Sequence, residues 1–124
     1  MIAEARARIE EIPVAEAAGL PDDPAVQLID IRDVRELDRD GMIPNAYHAP
    51  RGMLEFWIDR ASPYARDIFA QDRKFVFYCA GGLRSVLAAD VAQRLGLRVA
   101  HITEGFAGWK EAGHPVVPRQ KKKG

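Results

Sequence analysis

The strongest constraint on the fold is an alternation of two hydrophobic periods. Compact β-branched and aromatic runs stand at residues 25–31 (AVQLIDI), 75–78 (FVFY) and 98–102 (RVAHI). Segments of helical spacing lie between them. A short run that is apolar at nearly every position suits a strand covered on both faces. Strands alternating with helices predict an α/β domain: a mainly parallel central sheet with helices on both faces, three layers in all. Ligands of such sheets sit beyond the carboxyl ends of the strands. Residues 30–32, 79–84 and 103–106 are therefore expected to meet.

The remaining elements follow from local signals. Ile2, Ala5 and Ile9 form one stripe of an N-terminal helix, read over residues 1–11 and packed on the domain. Ile12-Pro13-Val14 suits a short edge strand. A short helix over 16–19 should end at Gly19, followed by a loop at 21–24. Asp33 is placed to cap a helix that runs to Arg39 and ends at Gly41. Residues 43–46 read as a turn, 47–49 as a short strand and 52–59 as a helix. Ser62-Pro63 suits the start of a further helix to about Ala70. Ser85–Leu95 is expected to be helical, with Leu87, Val91 and Leu95 in one stripe and Gly96 as terminator. A last helix over 105–112 and an extended segment over 114–117 complete a domain read as residues 12–118. The basic tail at 119–124 is expected to be disordered.

With 124 residues the chain closes one core. No apolar run approaches the roughly 20 residues of a membrane helix. The charged N-terminus lacks the apolar block of a signal peptide. One cysteine, Cys79, excludes an internal disulfide and a cysteine-based zinc cluster. His48, His101 and His114 lack metal-ligand spacing. No metal, organic cofactor, membrane or nucleic-acid partner is implied, and a reducing, cytoplasmic setting is the simplest. The net charge is zero but uneven: residues 1–72 carry 15 acidic and 8 basic groups, residues 73–124 carry 3 and 10. The cysteine lies in the basic part, which favours an anionic substrate or an acidic partner.

Cys79 ends a strand and precedes Ala80, Gly81, Gly82, Leu83 and Arg84, with Ser85 at a helix start. The first N–H groups of that helix lack internal partners and carry partial positive charge. Two glycines permit positive φ, so the loop can curl and aim successive N–H groups inward. A cysteine in such a cradle has its thiolate stabilised without a histidine base. Arg84 adds a fixed charge and a forked donor. A mid-strand cysteine would read as packing; this one stands at the strand's end.

These residues resemble the active-site loop of the rhodanese-like sulfurtransferase family, in its single-domain form. Three further segments resemble the family in the same order: LIDIRDVREL (28–37), GMIPNA (41–46) and EGFAGWKEAGHPV (104–116). Met42 and Asn45 replace the histidine and second glycine usual in the second segment. The resemblance implies a persulfide mechanism. Cys79 would take a sulfane sulfur from thiosulfate or a persulfide and pass it to a thiophilic acceptor, a small molecule or a sulfur-relay protein. The loop N–H groups of residues 80–84 would cradle the outer sulfur. Since Ala80, Gly81, Gly82 and Leu83 are neutral, Arg84 and Arg51 are left to meet a sulfonate, and a persulfide is the favoured donor.

Asp30 and Arg32, two apart, share a strand face if the strand continues. They either support the cysteine loop or form a structural ion pair. Glu36 is expected to pair with a surface base. Ser85 either donates its hydroxyl to the sulfur or merely fills the first helical turn. Phe56 and Trp57 line a pocket or pack in the core. Trp109 is expected to anchor the last helix. Two other functions fit the same residues. A non-catalytic or sulfur-relay interaction module would keep the fold. A cysteine phosphatase or arsenate reductase would use a Cys-x5-Arg loop, one residue longer than Cys79-x4-Arg84.

Overall fold

A computed structural model describes residues 1–119. Five strands form one parallel sheet in the order β1-β5-β4-β2-β3: β1 Glu11–Ile12, β2 Val26–Asp30, β3 Tyr47–His48, β4 Lys74–Tyr78 and β5 Arg98–Ile102. Side chains alternate across it as period 2 requires. Ile29, Phe75, Phe77, Cys79 and Val99 face α1 (Ile2–Arg8), α3 (Leu54–Ile58) and α4 (Leu83–Arg94). Leu28, Val76, Tyr78, Ala100 and Ile102 face the opposite way, onto Val14 and α5 (Gly105–Glu111). The α/β class and the strands expected at 25–31, 75–78 and 98–102 are therefore seen.

Helix α2 (Val34–Asp40) starts at a full capping box: Asp33 accepts from the Arg35 N–H and Glu36 accepts from the Asp33 N–H. Helix α1 ends at Arg8 rather than at residue 11. Ile9 is already extended, and Glu11 has joined β1 beside His101. Arg8 ties α1 to α4 through both oxygens of Asp90, at 3.0 and 2.8 Å.

Other local expectations differ too. The helix expected over 16–19 is absent: a 3₁₀ turn at Val14–Glu16 ends at its first residue. No α-helix follows Ser62-Pro63. The Ser62 hydroxyl accepts from the Tyr64 N–H, and the Arg66 N–H returns to the Trp57 carbonyl. The chain doubles back on α3, and only a 3₁₀ turn forms at Asp67–Ala70. Gly19 is not a left-handed terminator: its φ is −85°, and it leads into a 3₁₀ turn, Leu20–Asp22, where a loop was expected. The stripe Leu87, Val91, Leu95 is not the core face of α4. Leu95 is exposed, while Val86, Ala88, Ala89 and Ala92 are fully buried. Small residues let α4 lie close on the sheet, and the larger aliphatics fill its flanks.

Arg119, assigned to the tail, donates to Asp38 at 2.6 Å. The rest of that segment, 120–124, lies outside the described residues. Among the described residues no helix is long and apolar enough to cross a membrane.

Candidate functional site

The site lies at the carboxyl end of β4, where the three expected segments converge. Cys79 is fully buried. The loop after it turns at Gly82, whose φ of +97° places it in the left-handed region and which caps α4. Only Gly82 of the glycine pair adopts positive φ; Gly81 does not. The Gly82 N–H donates to the Cys79 Sγ at 3.1 Å and the Ser85 N–H at 3.3 Å. Two main-chain donors at the start of a twelve-residue helix thus point at the sulfur. Of the loop residues expected to cradle sulfur, Gly82 makes this contact; Ser85, one turn further on, supplies the second.

The loop's carbonyls are held the other way. The Phe106 N–H donates to the Cys79 carbonyl at 2.7 Å, and the Ala107 N–H to the Ala80 carbonyl at 3.0 Å. The first turn of α5 therefore draws C=O groups outward. Gly105, at φ +65°, permits the approach: a Cβ there would stand 2.6 Å from both carbonyl oxygens.

Ser85 is buried, and its hydroxyl does not lie on the sulfur. It stands 3.2 Å from the Gly82 carbonyl and 3.0 Å from Nδ1 of His101. His101 is also fully buried, and its Nε2 meets Oε2 of Glu11 at 2.9 Å. Burial pushes the imidazole below its ordinary value, against the opposing pull of Glu11, so the ring is neutral near pH 7.

Arg84 is turned to Glu36, with bonds of 3.1 and 3.0 Å to its two oxygens. The pair joins α4 to α2 and gives Glu36 the surface partner expected of it. The Glu36 carboxyl is held below its usual range chiefly by Arg84. The Cys79 sulfur adds a smaller favourable interaction with the same guanidinium. Arg51 is paired with Glu55, one helical turn on, at 2.7 Å. This ion pair is exposed.

Asp30 and Arg32 form a buried pair. Nη2 of Arg32 donates to Asp30 at 2.7 Å and to the Gly41 carbonyl at 2.7 Å, while its guanidinium lies 4.1 Å from the Phe106 ring centre. Burial beside Asp30 pushes the Tyr78 phenol well up, so it stays protonated; its oxygen accepts from the Ile43 N–H. Asp30 and Arg32 therefore brace β2, α2 and the start of α5 beneath the loop. An opening of about 280 Å³ beside them is lined by Ala80, Phe106, Lys110, Arg39 and neighbours. Trp57 is half-buried, with Arg66 stacked 4.1 Å from its ring centre, and Phe56 is exposed. Trp109 is fully buried and donates to the Pro115 carbonyl at 2.7 Å.

His101 and Tyr78 were not singled out as site residues by the sequence reading. The available signal was a polar side chain within the buried part of each strand, which after Lys74 and Arg98 at the strand starts is otherwise apolar. The ring of His101 is set by register: it pairs with Phe77 on β4, two residues before Cys79. No group of three or more His, Cys, Asp or Glu that could hold a metal occurs among the described residues.

Residues 13–112 match the family model of the rhodanese-like domain. YtwF of Bacillus subtilis, provisionally named a sulfurtransferase, is 27% identical over 93 residues, 75% of this chain and 82% of its own. A mouse protein named thiosulfate sulfurtransferase/rhodanese-like domain-containing protein 3 is 31% identical over 91 residues, which cover 69% of this chain and 57% of that protein. A solved structure from Rhodopseudomonas palustris is 54% identical at a TM-score of 0.91, covering 94% of this chain and 90% of that one. It is described as a protein of unknown function and a possible tyrosine phosphatase.

Proposed function

The chain belongs to the rhodanese-like domain family, and on that premise we propose that it is a sulfurtransferase in which Cys79 carries a sulfane sulfur as a persulfide. The observation that carries this reading is the pair of main-chain N–H groups, Gly82 and Ser85, aimed at Sγ. They stabilise an anion on sulfur by fixed dipoles and need no side-chain base. The thiolate attacks the outer sulfur of a donor. With thiosulfate, the new S–S bond forms as the donor's S–S bond breaks, and sulfite leaves with the electron pair. The persulfide anion then gives its outer sulfur to an acceptor. With cyanide, thiocyanate leaves and the Cys79 thiolate returns.

Donor preference follows from the side chains. Arg84 rests on Glu36 and Arg51 on Glu55 in partly exposed pairs, so a sulfonate must compete with a carboxylate for either guanidinium. A small persulfide is therefore the better donor, and Glu36→Ala, which releases Arg84, improves thiosulfate as a substrate.

The description of the Rhodopseudomonas protein supports a second reading, aryl phosphate hydrolysis. Three features weigh against it here. Four residues, not five, separate Cys79 from Arg84; the bidentate bonds of Arg84 go to Glu36; and the loop closes directly on Sγ. A shorter loop seats one sulfur atom and cramps a tetrahedral phosphate.

The test is the intact mass of reduced protein after incubation with thiosulfate or with a small-molecule persulfide. Sulfur transfer predicts a gain of one sulfur atom that is absent in Cys79→Ser and removed by cyanide. No adduct with either donor, or Cys79-dependent hydrolysis of an aryl phosphate, overturns the reading.

A further inference from the structure

Both donors to the Cys79 sulfur lead, through one hydroxyl, to a single imidazole. The Ser85 N–H reaches Sγ directly, and the Ser85 hydroxyl spans from the carbonyl of Gly82, the other donor, to Nδ1 of His101. The far ring nitrogen is anchored on Glu11 of β1. An aliphatic side chain, as at Val99, Ala100 and Ile102 of β5, would fill this position without the desolvation that a buried imidazole incurs.

We propose that His101 is a positioning residue for the chemistry of Cys79, holding Ser85, and with it the first turn of α4, against the sulfur. The inference rests on the sulfur-transfer reading of Cys79. It also follows from a count of protons. A neutral ring has one N–H, which is best used at Nε2, facing the Glu11 carboxylate. Nδ1 then accepts, and the single Ser85 hydroxyl proton points to His101. Protonation makes both ring nitrogens donors. The Ser85 hydroxyl must then turn its proton to the Gly82 carbonyl, inside the loop. The ring's charge thus decides which side of the cradle Ser85 holds. Burial lowers the ring's proton affinity, the Glu11 carboxylate from β1 opposes it and Arg6 of α1 adds a smaller lowering, while Ser85 from α4 is the ring's other hydrogen-bond partner. Burial keeps the ring neutral near pH 7.

The test compares wild type with Ser85→Ala, His101→Gln, His101→Asn and the Ser85→Ala/His101→Gln double variant. An asparagine amide reaches the place of Nδ1 and keeps the bond to Ser85; a glutamine amide reaches the place of Nε2 and keeps only Glu11. Two rates are read: persulfide formation by mass, and Cys79 alkylation by iodoacetamide. All are taken well below the lowest melting temperature of the set.

S85A and H101Q should each slow both reactions about five- to tenfold, the kinetic equivalent of one net hydrogen bond. H101N should stay within about twofold of wild type, and the double variant should be no slower than S85A, since His101 acts through Ser85. The wild-type rate should show an inflection below the ordinary imidazole value of 6.5 that H101N lacks. H101N as slow as H101Q, or losses that multiply in the double variant, would overturn the proposal. If wild type takes up no sulfur yet the alkylation series keeps this pattern, the sulfur-transfer reading falls and the positioning role stands.

Discussion

Gly82 and Gly81 are neighbours with opposite predicted responses to a single methyl group. A Cβ on Gly82 would lie 2.1 Å from the Thr103 carbonyl oxygen, a backbone atom. The backbone there is also left-handed, at φ +97°. Left-handed strain costs a non-glycine residue about 1–2 kcal/mol, and forcing an atom into a packed site adds about 1–3 kcal/mol. Gly82→Ala should therefore lose about 3 kcal/mol, a fall of about 12 °C in melting temperature for a chain of this size. Relieving the clash moves the Gly82 N–H off the sulfur, which should slow persulfide loading about 100-fold, as removing one fixed donor from an anion hole does. At Gly81 a Cβ meets nothing within 4 Å and φ is not positive. Gly81→Ala should be neutral or stabilise by about 0.4–1 kcal/mol, through the unfolded chain. Thermal unfolding and mass-detected sulfur loading on both variants decide the matter. If Gly81→Ala damages the protein as much as Gly82→Ala, the cradle geometry argued above is wrong.

Other perturbations separate bracing from chemistry. Asp30→Ala leaves the Arg32 guanidinium buried without its carboxylate and should cost about 3–5 kcal/mol in urea unfolding; a loss under about 1 kcal/mol would mean that the pair is not buried in solution. The Glu36–Arg84 pair is partly exposed, so Glu36→Gln should cost no more than about 0.5 kcal/mol at neutral pH. Because Arg84 holds the Glu36 carboxyl below its ordinary value of 4.5, that contribution is full above this value and fades as pH falls through the folded-state pKa. Unfolding curves of the two proteins should converge in acid, and a gap that widens there would contradict the assignment. Arg51→Ala should leave sulfur loading from thiosulfate within about twofold, since Glu55 already occupies the guanidinium; a tenfold loss would return Arg51 to the donor's site.

The sheet was legible because its strands are short, apolar and covered on both faces, so that local composition and tertiary burial agree. The cysteine loop was legible because a strand end, glycines and a helix start fall within six residues. What escaped was set by contacts distant in sequence. Residues 62–70 carry a good helix start, but the Arg66 N–H finds a nearer partner in the Trp57 carbonyl. The face that α4 buries was misread because close packing on the sheet selects alanines over leucines, which a search for large aliphatics cannot see. The role of His101 depends on the register of β5 between β1 and β4, and no spacing along the chain encodes that register.

The charge asymmetry between the two parts of the chain has a structural resolution that bears on the donor. Carboxylates of the acidic part are matched with cations of the basic part across the fold: Glu36 with Arg84, Asp72 with Arg98, Asp38 with Arg119 and Glu10 with Lys74. Much of the excess that pointed to an anionic substrate is thus consumed in holding α2, β4, β5 and the C-terminal segment together. What faces the sulfur is mainly dipolar, two N–H groups at a helix start, with the Arg84 guanidinium adding a smaller interaction beside its bond to Glu36. Such a cradle suits one charged sulfur atom better than the three oxygens of a sulfonate, each of which would need its own donor. The arrangement therefore favours a donor that delivers sulfur without bringing a sulfonate into the loop, which is the reason to rank a persulfide above thiosulfate.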